Sequence, residues 1–166
     1  MLSLLFVILM YIALAQSWSI FSGYTGYISL GHVAFFGLAG YLSSVLYWSK
    51  MPLYVIVPLG GLVSMLFATA VGYPCLRVRG PYFIILTLGL SEFVKYIIAN
   101  YEVTVTGTIG RVILDTPTLP TLYYCLLPIT TLTIITAYVI KNSKLGLALF
   151  SIRNDEDASE TIGINT

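Results

Sequence analysis

The sequence predicts an all-α fold, a polytopic membrane helix bundle of about five transmembrane helices, and three observations carry that prediction. Hydrophobic residues make up 58% of the 166 and charged residues 9%, where soluble proteins carry about 25% charge. The mean hydropathy is +0.92, more apolar surface than so few charges could keep in water. The apolar residues also gather into stretches of roughly 20, the length that crosses a hydrocarbon core of about 30 Å. Strand-length alternation of the kind a membrane β-barrel needs is absent.

Five stretches qualify, at about 2–21, 27–48, 53–73, 82–99 and 121–140. The first contains Ala13-Leu14-Ala15, which looks like a cleavage site, but no Lys or Arg precedes it. A secretory signal wants a positive n-region, so an uncleaved membrane helix is expected. Between the first two stretches, residues 22–32 bring Gly23, Gly26 and Gly31 together with Ser22, Thr25, Ser29 and His32. Two readings fit: an interfacial loop with a capped helix start, or broken backbone beside a substrate path. The second is tolerated at membrane depth only where protein or a water-filled cavity satisfies it.

The third stretch carries Gly60, Ser64, Ala68 and Gly72 at four-residue spacing. They share one helix face that a neighbouring helix can approach closely. Arg77-Val78-Arg79-Gly80-Pro81 follows, with arginines suited to lipid phosphates or to fixing orientation and a proline suited to a first helical turn. In the fourth stretch Glu92 and Lys95 lie three residues apart and share a face. An ionisable residue inside the membrane is a functional candidate, and a local structural ion pair is the other reading. Residues 101–120 form the longest expected outside segment.

The chain divides by composition into a transmembrane region, 1–142, and a polar segment, 143–166. The latter holds four of the seven acids: Asp155, Glu156, Asp157 and Glu160. Arg77, Arg79, Lys141, Lys144 and Arg153 fall on one side of the predicted topology, and Lys50, Lys95 and Arg111 on the other. Positive charge accumulates on the cytoplasmic side. The chain is therefore expected in the cell membrane with its N-terminus outside and its C-terminal segment in the cytoplasm.

Several function classes are excluded or disfavoured. A net charge of +1 provides no basic surface for nucleic acid. Cys75 and Cys125 fit no zinc spacing and read as buried thiols, and one histidine, His32, makes no multi-histidine metal site. No Walker A, GxSxG or HExxH pattern is present. No enzyme activity and no cofactor are expected.

Several runs together resemble permeases of branched-chain amino-acid ABC importers, the LivM type. Gly23-Tyr24-Thr25-Gly26-Tyr27-Ile28-Ser29-Leu30-Gly31-His32-Val33-Ala34-Phe35-Phe36-Gly37 looks like that family's signature. Leu76-Arg77-Val78-Arg79-Gly80-Pro81-Tyr82-Phe83 is similar to its LRLRG-x-YF, and Leu86-Thr87-Leu88-Gly89-Leu90-Ser91-Glu92 to its TLGFGE. The run 106–110 is similar to a TGG-like external loop, and 143–165 to S-x-x-GRAL-x-AIRxDExAAxxxGIN.

The resemblance implies a membrane-spanning subunit for Leu, Ile or Val, with a related urea or short-amide importer as the neighbouring alternative. It implies partners: cytoplasmic ABC ATPase subunits, a second permease subunit and an extracytoplasmic substrate-binding protein. Asp157, Ala158, Ser159 and Gly163 would form the ATPase-coupling helix, matching EAAxxxG. Gly23, Thr25, Gly26, Ser29, Gly31, His32 and Glu92 are the candidate translocation path. Asp157 stands for the family's Glu, Ser159 for its Ala and Leu147 for its usual Arg. Family members continue with further spans, so the chain is expected to be the N-terminal portion of a permease, or a truncated, non-transporting product.

Overall fold

The computed structural model describes residues 1–78, 80–107, 117–161 and 163. Arg79, Arg111 and most of the 106–110 loop lie outside the described residues, as do Asn165 and Thr166. The described residues form helices only: α1 (Leu2–Trp18), a π-helical turn (Ser19–Gly23), α2 (His32–Trp48), α3 (Leu53–Cys75), α4 (Pro81–Thr106), α5 (Leu119–Lys141), α6 (Lys144–Asn154) and α7 (Glu156–Thr161). The chain separates into two compact units, Met1–Ile28 with Pro117–Thr166, and Ser29–Thr116.

Among the described residues, four helices are long and apolar enough to cross a membrane: Leu2–Gly23, Leu53–Cys75, Pro81–Thr106 and Leu119–Lys141. The predicted second span is shorter than expected. Residues 26–30 are not helical and α2 begins at His32, leaving 17 residues, near the lower limit of roughly 17 for a span. In the first unit Thr130 donates to the Leu9 carbonyl and Tyr24 to that of Ala137, so α1 and α5 run parallel.

Contacts within the second unit likewise fix its helix directions. Ser64 bonds the Phe35 carbonyl at 3.1 Å, and a Cβ on Gly60 would lie 3.1 Å from Ser43 Oγ. Thus α2 and α3 are antiparallel, joined through half of the small-residue face on α3. The other end of that face, at Gly72, is open. Leu30 meets Thr87 and Ser91, and Tyr41 meets Glu102, so α2 and α4 run parallel.

The fourth helix departs most from expectation. It does not end at residue 99 but continues to Thr106, so the first turns of the expected outside segment are helical. Glu102 is the reason: its side chain is buried and accepts a hydrogen bond from Tyr41 of α2. Pro81 occupies the first turn of α4, as predicted. Cys75 and Cys125 are free thiols, buried and half-buried.

Candidate functional site

The predicted path residues are divided between the units. Gly23, Thr25 and Gly26 belong to the first, and Ser29, Gly31, His32 and Glu92 to the second.

In the first unit α1 does not stop cleanly. It widens into the π-helical turn, then Thr25 closes the end by donating to the Phe21 carbonyl at 2.8 Å. Such widened turns leave carbonyls unpaired within the helix and recur at functional sites. At Gly26 the chain turns out of the helix with φ +77°, a conformation costly for any residue bearing a Cβ. Gly26 has a second constraint, because a Cβ there would lie 2.9 Å from Cγ of Arg153. Arg153 Nη1 donates to the Gly23 carbonyl at 2.8 Å, and the Tyr27 hydroxyl donates to Glu156 Oε2 at 2.6 Å. Tyr24 packs on Phe150 with ring centroids 5.1 Å apart. The polar C-terminal segment therefore lies directly against residues 23–27.

In the second unit the non-helical backbone is held by α4. The Leu30 N–H donates to Thr87 Oγ1 at 3.2 Å, and the Leu30 carbonyl accepts from Ser91 Oγ at 2.9 Å. Ser29, buried, accepts from the Gly31 N–H at 3.3 Å. An extended backbone at membrane depth must find such partners. Two motifs far apart in sequence, SLGH and TLGLSE, thus make one local structure. His32 is half-buried, with its ring edge-on to Phe35. Thr87→Val, similar in shape but without the hydroxyl, is expected to lower stability by about 1–2 kcal/mol. Unfolding of the purified chain in micelles measures this, and an unchanged midpoint would show that Leu30 is held by other means.

Glu92 and Lys95 form the expected ion pair, Oε2 to Nζ 3.1 Å, with side chains 52% and 69% exposed. Both border an open groove of ≈ 580 Å³ along α2 and α4 in the second unit. Its apolar wall includes Val33, Val94 and Ile98, and its polar groups include Ser44, Ser91 and the Tyr41–Glu102 pair. Sequence reasoning missed Glu102 by assigning its neighbourhood to a loop, although a lone acid in an apolar run is itself a signal. Thr87 and Ser91, spaced i, i+4 on that helix, were also readable as a polar stripe.

The expected coupling segment is a short, capped helix. Asp155 breaks the α6–α7 junction with extended backbone, φ −161° and ψ 114°. Its Oδ1 accepts from the Ala158 N–H at 3.1 Å, a side-chain cap for the first turn of α7. Ser159 is buried, and its hydroxyl donates to the Asp155 carbonyl at 2.7 Å. Ala158 and Gly163 are exposed, and the Asp157 side chain lies outside the described residues. Upstream, Ser143 donates to the Ile140 carbonyl at 2.8 Å and accepts from the Gly146 N–H at 3.3 Å, which turns α5 into α6.

The chain is 31% identical to the high-affinity branched-chain amino acid transport system permease protein LivM of Salmonella typhimurium, over 112 residues, 67% of this chain and 26% of that protein. It is 29% identical to the protein of the same description from Escherichia coli, over the same shares of each. The chain thus spans about a quarter of the length of these curated relatives. No solved structure matches it. The family described as branched-chain amino acid transport system / permease component matches residues 1–166, and this multi-pass, all-helical membrane chain belongs to it.

Proposed function

We propose that the chain supplies membrane helices to the permease subunit of an ABC importer for branched-chain amino acids, driven by separate ATPase subunits. The observation that carries this reading is the family match along the whole chain. A binding protein outside would deliver Leu, Ile or Val, and a second permease subunit would complete the pore. The chemistry of the groove along α2 and α4 suits such a cargo. Glu92, Lys95 and Ser91 offer groups of both signs to an ammonium and a carboxylate, and Val94 and Ile98 offer an apolar wall to a branched side chain.

The N-terminus would lie outside and α6–α7 in the cytoplasm, where Arg77, Lys141, Lys144 and Arg153 favour the inner face. In this reading the exposed Ala158 and Gly163 meet the ATPase with Asp157, while buried Ser159 holds the shape of the turn.

Deleting 157–163, or making Gly163→Arg, is expected to abolish co-purification of the ATPase subunit and ATP-dependent uptake while membrane insertion is kept. The measurement is pull-down together with uptake of labelled leucine and urea by vesicles holding the full importer. ATPase recovered with the deletion variant at normal yield refutes the coupling role. Urea uptake without leucine uptake would replace the substrate, and uptake of neither would leave a non-transporting chain.

A further inference from the structure

Two chain breaks face one another in the first unit, and the bonds between them straddle both. In residues 23–27 the break is Gly26, with its positive φ of 77°. Arg153 holds Gly23 on one side of it and Glu156 holds Tyr27 on the other. In the C-terminal segment the break is Asp155, with extended backbone between α6 and α7. Arg153 lies in the last turn of α6 and Glu156 opens α7, so the same two bonds straddle that break as well.

We propose that Arg153 and the Tyr27–Glu156 pair form a two-point linkage that makes the 23–27 segment turn with α7; the proposal rests on the importer reading above. Both bonds involve an ionised group and are short, 2.8 and 2.6 Å, the kind that resists separation. Ordinary surface packing does not need both. Arg153 is exposed and would be solvated equally well pointing away. Instead its stem runs across Gly26, where no Cβ stands in the way. Tyr24 gives the segment a fixed base, with its ring on Phe150 of α6 and its hydroxyl 3.3 Å from the Ala137 carbonyl of α5. With Gly23 tied to α6 and Tyr27 tied to α7, a change of angle at Asp155 must be taken up at Gly26. A force applied to α7 by an ATPase subunit thereby reaches the end of the broken segment between α1 and α2. Arg153, Glu156 and Tyr27 are positioning residues in this scheme, touching the segment and not the cargo.

The test places a reporter inside the linkage, Thr25→Cys, and follows its labelling by a membrane-impermeant maleimide in inside-out vesicles. With the chain alone, adding Tyr27→Phe and Arg153→Gln together is expected to raise the labelling rate about tenfold, as two lost bonds loosen the segment. An unchanged rate overturns the proposal. In vesicles holding the assembled importer, ATP is expected to change the labelling rate of the reporter chain. Tyr27→Phe should remove that response while the ATPase still co-purifies, Glu156→Gln should weaken it, and Arg153→Lys should keep most of it where Arg153→Gln loses it. A response that survives Tyr27→Phe, or no response in a complex that transports, overturns the linkage. Loss of ATPase capture and uptake with the unsubstituted chain instead overturns the importer reading, and the vesicles holding the chain alone then decide whether the linkage exists.

Discussion

Gly146→Ala is expected to destabilise the chain by about 2–3 kcal/mol, the upper part of the range for inserting an atom into filled space. A Cβ at this position would run into the Ile140 carbonyl oxygen and lie 3.0 Å from that of Lys141. Both obstacles are backbone atoms at the last turn of α5, so no side-chain rotation relieves them. The corner between α5 and α6 is also short, and Ser143 fixes it from both sides. Relief requires α6 to lift away, carrying Arg153 from Gly23 and Glu156 from Tyr27. Thermal unfolding of the purified chain in micelles measures the loss. Gly89→Ala, where nothing lies within 4 Å, should show no such loss. Leu147→Arg, at a side chain 69% exposed, should stay within about 0.5 kcal/mol. A Gly146→Ala midpoint equal to these controls would show that the corner relaxes freely.

Tyr41→Phe is expected to cost about 1.5–3 kcal/mol, the range for a hydrogen bond to a charged group. Glu102 is 3% exposed and accepts from the Tyr41 hydroxyl. Losing that donor leaves a buried carboxylate less well compensated, while the phenyl ring still fills the space. The discriminating result is the double variant. Tyr41→Phe with Glu102→Leu removes both polar partners and should recover most of the loss, because two apolar groups of similar shape leave little to desolvate. Additive losses in that cycle would show that the bond is incidental to stability.

Much of this chain was legible because hydrophobic thickness leaves a crude, length-scaled mark on a sequence. Four of the predicted spans stand as long apolar helices, and Pro81 and the Glu92–Lys95 pair lie where local rules put them. The errors came where an apolar count cannot separate a helix from extended backbone. Ile28 and Leu30 extended the second predicted span toward residue 27, yet the chain there is non-helical and Leu30 is bonded to Thr87 and Ser91. The polar Glu102 was read as the start of a loop, yet Tyr41 receives it inside the unit. Ser159 looked like part of a docking surface, yet it is buried and bonds the Asp155 carbonyl.

The sequence by itself determined the solvent, the all-α class and the family, since composition, span length and ordered motifs are properties of the linear chain. It also marked where the bilayer pattern fails, at residues 22–32 and beyond 142. Only the tertiary structure decided what those two exceptions do for each other. The bond from Arg153 to Gly23 spans 130 residues and that from Tyr27 to Glu156 spans 129. No local periodicity encodes such pairs. They exist because α1 and α5 run parallel, bringing the ends of both helices to one place, where a glycine leaves room for an arginine.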